Sequence, residues 1–267
     1  MSQLRMPAEH GAWGILAVPF LCAAVVASPS SSSAFLPLLL AFICVLGAFL
    51  LRGSLENYGE WRALWLPVHL ALLAVTGVAG LALVTVYQGT QLLALAAVGL
   101  VLYLFQRWLV RSHQRESEKR SFAAELVGVG ILTLSAPVAT VAALGRLDTA
   151  GARVWLLNVL FFLGGVLYVK YRVRGVLAHR TFSSLPERFA FAWPVFLYHL
   201  LLVLFLASAA LMDSVPAMVL VAFAPAVLRA HGLLFHLGQR FPIKRLGWTE
   251  VAHSLIFAVL LILATRM

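Results

Sequence analysis

"AEHGAWGILAVPF", residues 8–20, is the stretch where a polar N-terminal segment gives way to an apolar run. Glu9 and His10 lead directly into residues where glycine, tryptophan and proline interrupt alanine, leucine and valine. The run continues to about residue 28, close to the ~20 apolar residues that a membrane-spanning helix needs. We therefore expect a first membrane span here, with Trp13 near the bilayer boundary, where tryptophan is enriched.

The composition of the whole chain agrees with this expectation. Hydrophobic residues make up 62% of the 267 residues and charged residues 11%, against roughly 45–50% and about 25% in soluble domains. The sequence contains no glycine-rich phosphate loop, nucleophile elbow, Cys-x-x-Cys pair or nucleic-acid-binding module. We therefore predict an all-α, polytopic membrane protein with a single integral membrane domain over residues 1–267, whose partner is the lipid bilayer and not a nucleic acid.

Breaks at glycine, proline, serine and charge clusters divide the chain into nine apolar segments. The predicted spans cover about residues 11–28, 34–51, 63–86, 90–110, 122–144, 153–173, 189–211, 215–236 and 246–265.

The basic residues test this count independently. With a cytoplasmic N-terminus, 17 of the 20 lysines and arginines fall in inner segments, and Arg146, Arg153 and Arg266 fall in outer ones. This split follows the positive-inside rule, with the C-terminus outside. The net charge of +10 therefore indicates membrane orientation. A cleavable signal peptide over residues 1–27 is an alternative, but removing that span would invert the charge pattern.

Polar residues concentrate on the predicted cytoplasmic side. Ionisable groups inside a bilayer are costly, so each is a functional hypothesis. The alternative is that they snorkel or complement helix dipoles. If they form a cytoplasm-facing pocket, the candidate catalytic residues are Glu9, His10, Glu250 and His253. The candidate substrate-binding residues are Trp13, Glu125, Lys170, Arg172 and Arg174. The candidate metal ligands are Glu56, Asn57 and Glu60.

Three details refine this set. Glu56 and Glu60, which we place between spans two and three, would share a helical face and could hold a hard cation. Glu250 and His253 have the Glu-x-x-His spacing of di-metal carboxylate sites, although a second copy is absent. For His199, in the middle of its span, we expect a hydrogen bond to a neighbouring helix.

Three stretches carry a family resemblance: "PAEHGAWGILAVPF" at 7–20, "LYVKYRVRG" at 167–175 and "RLGWTE" at 245–250. They resemble the signature stretches of the YwiC-like bacterial membrane proteins. The resemblance implies a multi-pass protein of the bacterial inner (cytoplasmic) membrane, in a family whose activity is largely unassigned.

A more distant similarity is to the UbiA-type intramembrane prenyltransferases, whose Asp-rich motifs after spans two and six hold Mg²⁺ against a prenyl diphosphate. That similarity implies that Glu56, Asn57 and Glu60 stand in for the first motif. At the second motif the basic residues Lys170, Arg172 and Arg174 occur where acids belong. They could bind an anionic headgroup directly, remain on a scaffold that has lost diphosphate chemistry, or mark membrane orientation alone.

Two functions remain open at this point. The first is a UbiA-like or degenerate prenyltransferase that acts on an isoprenoid or another amphiphile, with Mg²⁺ as its cofactor. The second is a transporter or a non-catalytic membrane accessory protein. No internal repeat of the transporter kind is apparent in the sequence.

Overall fold

The computed structural model describes residues 10–27, 34–58, 67–87, 89–112, 122–177, 182, 184–239 and 242–266. These residues form helices without any strand in the described ranges. The helices are α1 (His10–Ala27), α2 (Phe35–Tyr58), α3 (Pro67–Thr85), α4 (Gln91–Ser112), α5 (Phe122–Thr133), α6 (Ser135–Leu144), α7 (Thr149–Leu177), α8 (Leu185–Leu211), α9 (Val219–His236) and α10 (Ile243–Arg266).

Each of the nine predicted spans coincides with one helix or, for 122–144, with the pair α5 and α6. Eight helical segments of the described chain are long and apolar enough to cross a membrane. The apolar part of α1, Gly11–Ala27, is shorter and lies at the lower end of the length that can span a bilayer. The predicted fold class is confirmed: the chain is an all-α, multi-pass membrane protein.

Several helices extend beyond the predicted spans. The largest differences are at α7, which begins at Thr149 and ends at Leu177, and at α2, which continues to Tyr58. Glu56 and Asn57 therefore lie in the last turns of α2, beyond its apolar segment Phe35–Gly53 and before the next apolar segment, Pro67–Thr85. Charged and polar residues prolong these helices past the apolar core of each span because backbone hydrogen bonding does not require an apolar side chain.

The segment 122–144 is interrupted at Leu134, where α5 ends and α6 begins. Pro137 lacks the N–H group that would bond to the carbonyl of Thr133. Leu134 N–H donates to Ile131 O (3.2 Å), the spacing of a tighter 3₁₀ turn, and Val138 N–H resumes the helical pattern with Leu134 O (3.1 Å). Proline chemistry thus divides one predicted span into two helices.

The chain divides into two compact units. Unit 1 comprises Met1–Phe105 and Ile131–Trp155, and unit 2 comprises Gln106–Gly130 and Leu156–Met267. The prediction of a single integral membrane domain stays a prediction.

Small side chains and a neutral hydrogen bond join helices in unit 1. Here α1 packs on α6, and α2 packs on α3 and α6. The Ser135 hydroxyl donates to Leu16 O at 2.7 Å, which links α6 to α1. A β-carbon added at Gly47 in α2 would clash with Oγ1 of Thr76 in α3. The glycine therefore lets α2 and α3 approach closely.

Aromatic and aliphatic side chains fill the interior of unit 2, where α9 packs on α8 and α10. The rings of Phe161 in α7 and Phe257 in α10 stack with centroids 3.9 Å apart, and Phe223 of α9 contacts both rings edge-on. The Tyr198 hydroxyl of α8 donates to Leu160 O of α7 at 2.6 Å. These contacts bring the four helices α7–α10 together around the polar residues described next.

Candidate functional site

An ion pair joins α9 to α10 inside unit 2. Arg229 Nη1 donates to Glu250 Oε1 at 2.5 Å, and the two side chains are 9% and 18% exposed. Arg229 lies about two turns, or ~10 Å, before the end of α9, and Glu250 lies about two turns after the start of α10. Both residues lie within segments that are apolar enough to cross a membrane. Burying both charges is costly, and their mutual attraction offsets the cost only because the geometry is close.

Helix α7 supplies the surface on which this pair lies. The Arg229 guanidinium stands over the Tyr168 ring, 4.4 Å from its centroid, a cation–π arrangement. A β-carbon at Gly165 would lie 3.5 Å from Glu250 Oε2 and 3.9 Å from Arg229 Nη2. The pair therefore packs against α7 at both Tyr168 and Gly165.

A second buried guanidinium belongs to the same neighbourhood. Arg172 follows Tyr168 by one helical turn, so both residues lie on one face of α7. Arg172 is 8% exposed, and Tyr168 is within electrostatic reach of Arg172, Arg229 and Glu250. We call these four residues the Tyr168 cluster. It places two guanidinium groups and one carboxylate around a phenol.

Arg229 retains hydrogen-bonding capacity in this cluster. Its Nε is buried and has no hydrogen-bond partner among the described residues. A buried donor left unsatisfied is uncommon in folded proteins and costs free energy. An oxygen acceptor at this position would remove that cost.

A second ion pair lies on a different face of α7. Lys170 Nζ donates to Glu125 Oε2 of α5 at 2.7 Å, with side chains 12% and 31% exposed. The same ammonium lies 4.8 Å from the centroid of the Phe122 ring. Two residues predicted as substrate-binding thus contact each other.

Arg174 completes the basic end of α7. It is exposed, and its guanidinium lies 5.8 Å from the centroid of the Tyr171 ring. Lys170 and Arg174, four residues apart, share one face of α7, whereas Arg172, two residues from each, lies on another. Only Arg172 shares the face of Tyr168.

Among the described residues, His199 makes no hydrogen bond to a neighbouring helix. Its Nδ1 lies 2.7 Å from Val195 O of its own helix. Its Nε2 would be 3.3 Å from a β-carbon at Gly164 of α7. The hydroxyl of the adjacent Tyr198 makes the bond to α7 instead, so our expectation for the histidine was wrong.

The remaining predicted residues occupy separate positions. Trp13 is half-buried in unit 1 and meets the Phe49 ring edge-on, with centroids 5.0 Å apart. The Nδ1 of His253 in unit 2 lies 2.7 Å from Thr249 O, and the residue is within electrostatic reach of Glu250. The structure does not test whether these residues bind a substrate or take part in catalysis.

Five predicted site residues cannot be compared with the structure at the level of side chains. Glu9 and Glu60 lie outside the described residues, as do the side chains of His10, Glu56 and Asn57. Among the residues whose side chains are described, no three histidine, cysteine, aspartate or glutamate residues come together as metal ligands. The predicted Mg²⁺ site stays a prediction.

Sequence reasoning missed Arg229 and Tyr168 as site residues. Arg229 was counted only among the charges that orient the chain. Its signal was its position, since it interrupts the apolar sequence "VLVAFAPAVLRAHG" of α9, where an ionisable residue is a functional candidate by default. Tyr168 carried no comparable signal, because an aromatic residue in a membrane helix is usually part of the packing.

Comparisons with known proteins bear on the identity of the chain. The sequence pattern of the family described as "YwiC-like protein" matches residues 6–140, just over half of the chain. The protein of Bacillus subtilis (strain 168) named "Uncharacterized protein YwiC" is 27% identical over 267 residues, and the match covers 98% of each chain. No solved structure matches the chain. The chain therefore belongs to the YwiC-like protein family.

Proposed function

We propose that this multi-pass protein of the bacterial inner membrane binds the anionic headgroup of an amphiphile at the Tyr168 cluster, and that Lys170 and Arg174, on another face of α7, attract anions to the same end of this helix. An isoprenoid diphosphate is the ligand class that we select for testing. The unsatisfied Nε–H donor of Arg229, buried within membrane depth beside a second buried guanidinium, carries this proposal.

The chemistry of the cluster favours an anion. Guanidinium groups present planar, charged donors that match phosphate oxygens, and such charge-assisted hydrogen bonds are stronger in a low-dielectric setting. Glu250 holds one edge of Arg229 and thereby orients the remaining Nε–H donor. The Tyr168 ring covers a face of the guanidinium.

Lys170 and Arg174 would add positive charge near the same end of α7. Lys170 is held by Glu125, which is about one-third exposed, so water competes for this pair and a phosphate can displace the carboxylate. Arg174 is exposed and free to follow a headgroup in the interfacial region.

The proposal also includes a catalytic role for the remaining candidate residues. Glu56, Asn57 and Glu60 would hold Mg²⁺ against the diphosphate, since carboxylate and amide oxygens suit this ion. Glu9, His10, Glu250 and His253 are the proposed acid–base groups, and Trp13 would position the apolar chain at the bilayer boundary. In a prenyl transfer of the UbiA type, the bond between the prenyl carbon and the diphosphate oxygen would break as that carbon bonds to an acceptor amphiphile. The diphosphate would leave, and one of these acid–base groups would take the proton that the acceptor loses.

The test is a calorimetric titration of the full chain in lipid nanodiscs with geranylgeranyl diphosphate, with and without Mg²⁺, against the uncharged geranylgeraniol. We expect the diphosphate to bind and the alcohol to bind at least about 10-fold more weakly, a difference that corresponds to ~1.4 kcal/mol. Binding that requires Mg²⁺ would support the metal site. No binding in either condition would refute the proposal.

The matched variants are Arg229→Lys and Arg146→Lys. Arg229→Lys keeps the charge opposite Glu250 but removes the Nε–H donor and the planar fork, so we expect about a 10-fold loss of affinity. Arg146 is exposed in unit 1, and the same change there should leave the affinity unaltered. Equal effects of both changes would contradict a site at Arg229.

A transporter or an accessory role is the second candidate, favoured by the ion pair within membrane depth. Proteoliposomes separate the two candidates. Release of a trapped anionic amphiphile across the bilayer would support transport, whereas binding without release would support the first candidate.

A further inference from the structure

Unit 1 contains a cavity of about 310 Å³ that the proposed function does not use. It lies where the last turns of α1 and α6 meet the first turn of α7. Its lining consists of Ala23, Val26, Ala27, Thr140, Leu144, Asp148, Ala150, Gly151 and Val154. By volume it reaches the lower end of the range of small-molecule sites.

Asp148 is the charged residue in this lining. Its Oδ1 accepts a hydrogen bond from Gly151 N–H at 2.7 Å, which caps the N-terminus of α7. Arg146 and Arg153, the basic residues closest to it in the sequence, do not line the cavity. The structure therefore places one carboxylate, with further acceptor capacity, at a space that six alanine, valine and leucine residues line.

The helix ends around the cavity add to this negative potential. The cavity lies at the C-terminal ends of α1 and α6 and at the N-terminal end of α7. Helix C-termini carry roughly −0.5 elementary charge and N-termini roughly +0.5. With the Asp148 carboxylate, the balance is on the order of −1.5 charges, so the cavity favours a cation.

The side chains that line the cavity indicate which groups the ligand carries besides the cation. Alanine, valine and leucine side chains contact apolar groups without offering hydrogen bonds. Thr140 is fully buried, and its hydroxyl donates to Ala136 O within α6. The volume equals that of roughly ten liquid water molecules, enough for a short alkyl chain.

We propose that this cavity binds a small organic cation, an ammonium group on a short apolar chain, with the ammonium at Asp148. By the predicted topology the cavity opens toward the outer side of the membrane. This site differs in unit and in charge from the proposed anion site, so either can fail without the other.

The experiment uses three probes of equal length: hexylammonium, hexanol and hexanoate. Calorimetric titration into the full chain in nanodiscs, with empty nanodiscs subtracted, measures each affinity. We expect hexylammonium to bind at least about 10-fold more tightly than hexanol, and hexanoate not to bind. Equal affinity for the ammonium and the alcohol would overturn the proposal.

Two variants locate the site. Asp148→Asn keeps an equally good helix cap and removes the charge, so it should abolish the preference for hexylammonium over hexanol. Ala27→Leu should weaken all binding because the larger side chain fills the cavity. Asp213→Asn is the matched control, since Asp213 is a loop residue of unit 2 with φ 54°, which asparagine tolerates. If Asp213→Asn reduced the affinity as much as Asp148→Asn, the cavity would not be the binding site.

Discussion

The contact between α1 and α6 in unit 1 and the contact among α7, α9 and α10 in unit 2 use different chemistry. The first relies on small residues and on a serine hydroxyl, with Ser135 Oγ donating to Leu16 O. The second buries the Arg229–Glu250 ion pair against Tyr168. Both regions lie in helices that are apolar enough for a membrane.

The difference between the two regions bears on the role of the buried charges in unit 2. Small residues and neutral hydrogen bonds are sufficient to associate helices in a bilayer, and the α1–α6 contact is an example. Packing alone therefore does not require the ion pair of unit 2, whose burial is costly. This asymmetry supports assigning the ligand-binding role to the Tyr168 cluster.

The largest effect is expected when one charge of the Arg229–Glu250 ion pair is removed. Arg229→Leu leaves the Glu250 carboxylate buried without its partner, and we expect a loss of about 3–5 kcal/mol in the free energy of unfolding. Reversible unfolding in mixed micelles measures this loss.

The double variant Arg229→Leu/Glu250→Leu should recover most of that loss, because no uncompensated charge remains. Arg174→Leu, at an exposed position, serves as the control and should change stability by no more than about 0.5 kcal/mol. If the single variant cost as little as this control, the pair would not be buried in the folded protein.

A smaller effect tests close packing in unit 1. Gly47→Ala places a β-carbon against Thr76 Oγ1, and we expect a loss of about 1–3 kcal/mol from overpacking. Thr76→Ala should relieve the clash in the double variant. At Gly77, also in α3, a β-carbon meets no atom of the described residues within 4 Å. Gly77→Ala should therefore be neutral or stabilising, and a destabilising Gly77→Ala would refute the steric explanation.

The smallest effect is expected when the hydrogen bond between Ser135 and Leu16 is removed. Ser135→Ala removes the bond to Leu16 O, and interhelical hydrogen bonds in membranes contribute about 0.6 kcal/mol on average. Thermal unfolding of the variant should show a loss of this order. A loss as large as that of Arg229→Leu would remove the distinction between the two regions.

Much of the fold could be predicted because hydropathy and charge placement carry it. The nine spans follow from apolar length, and each coincides with observed helix. The break at Leu134 is harder to predict, since proline inside a membrane helix can be accommodated without interruption. Helix ends such as Leu177 were underestimated because polar residues continue a helix beyond its apolar core.

The site could be predicted only in part. Glu125 and Lys170 were both selected, and they prove to be each other's partners. The pairing of Arg229 with Glu250 depends on how α9 and α10 are rotated and packed, which one sequence does not specify. Charge type could be read from the residues, but the contact between helices could not.

The most direct test of anion binding at the basic end of α7 is the affinity of Glu125→Gln for geranylgeranyl diphosphate. The change removes the carboxylate that competes for Lys170 while keeping the size of the side chain. Calorimetric titration in nanodiscs should show binding several-fold, on the order of 3- to 10-fold, tighter than that of the unchanged protein. Unaltered or weaker binding would contradict the account, because Lys170 would then serve only to pair with Glu125.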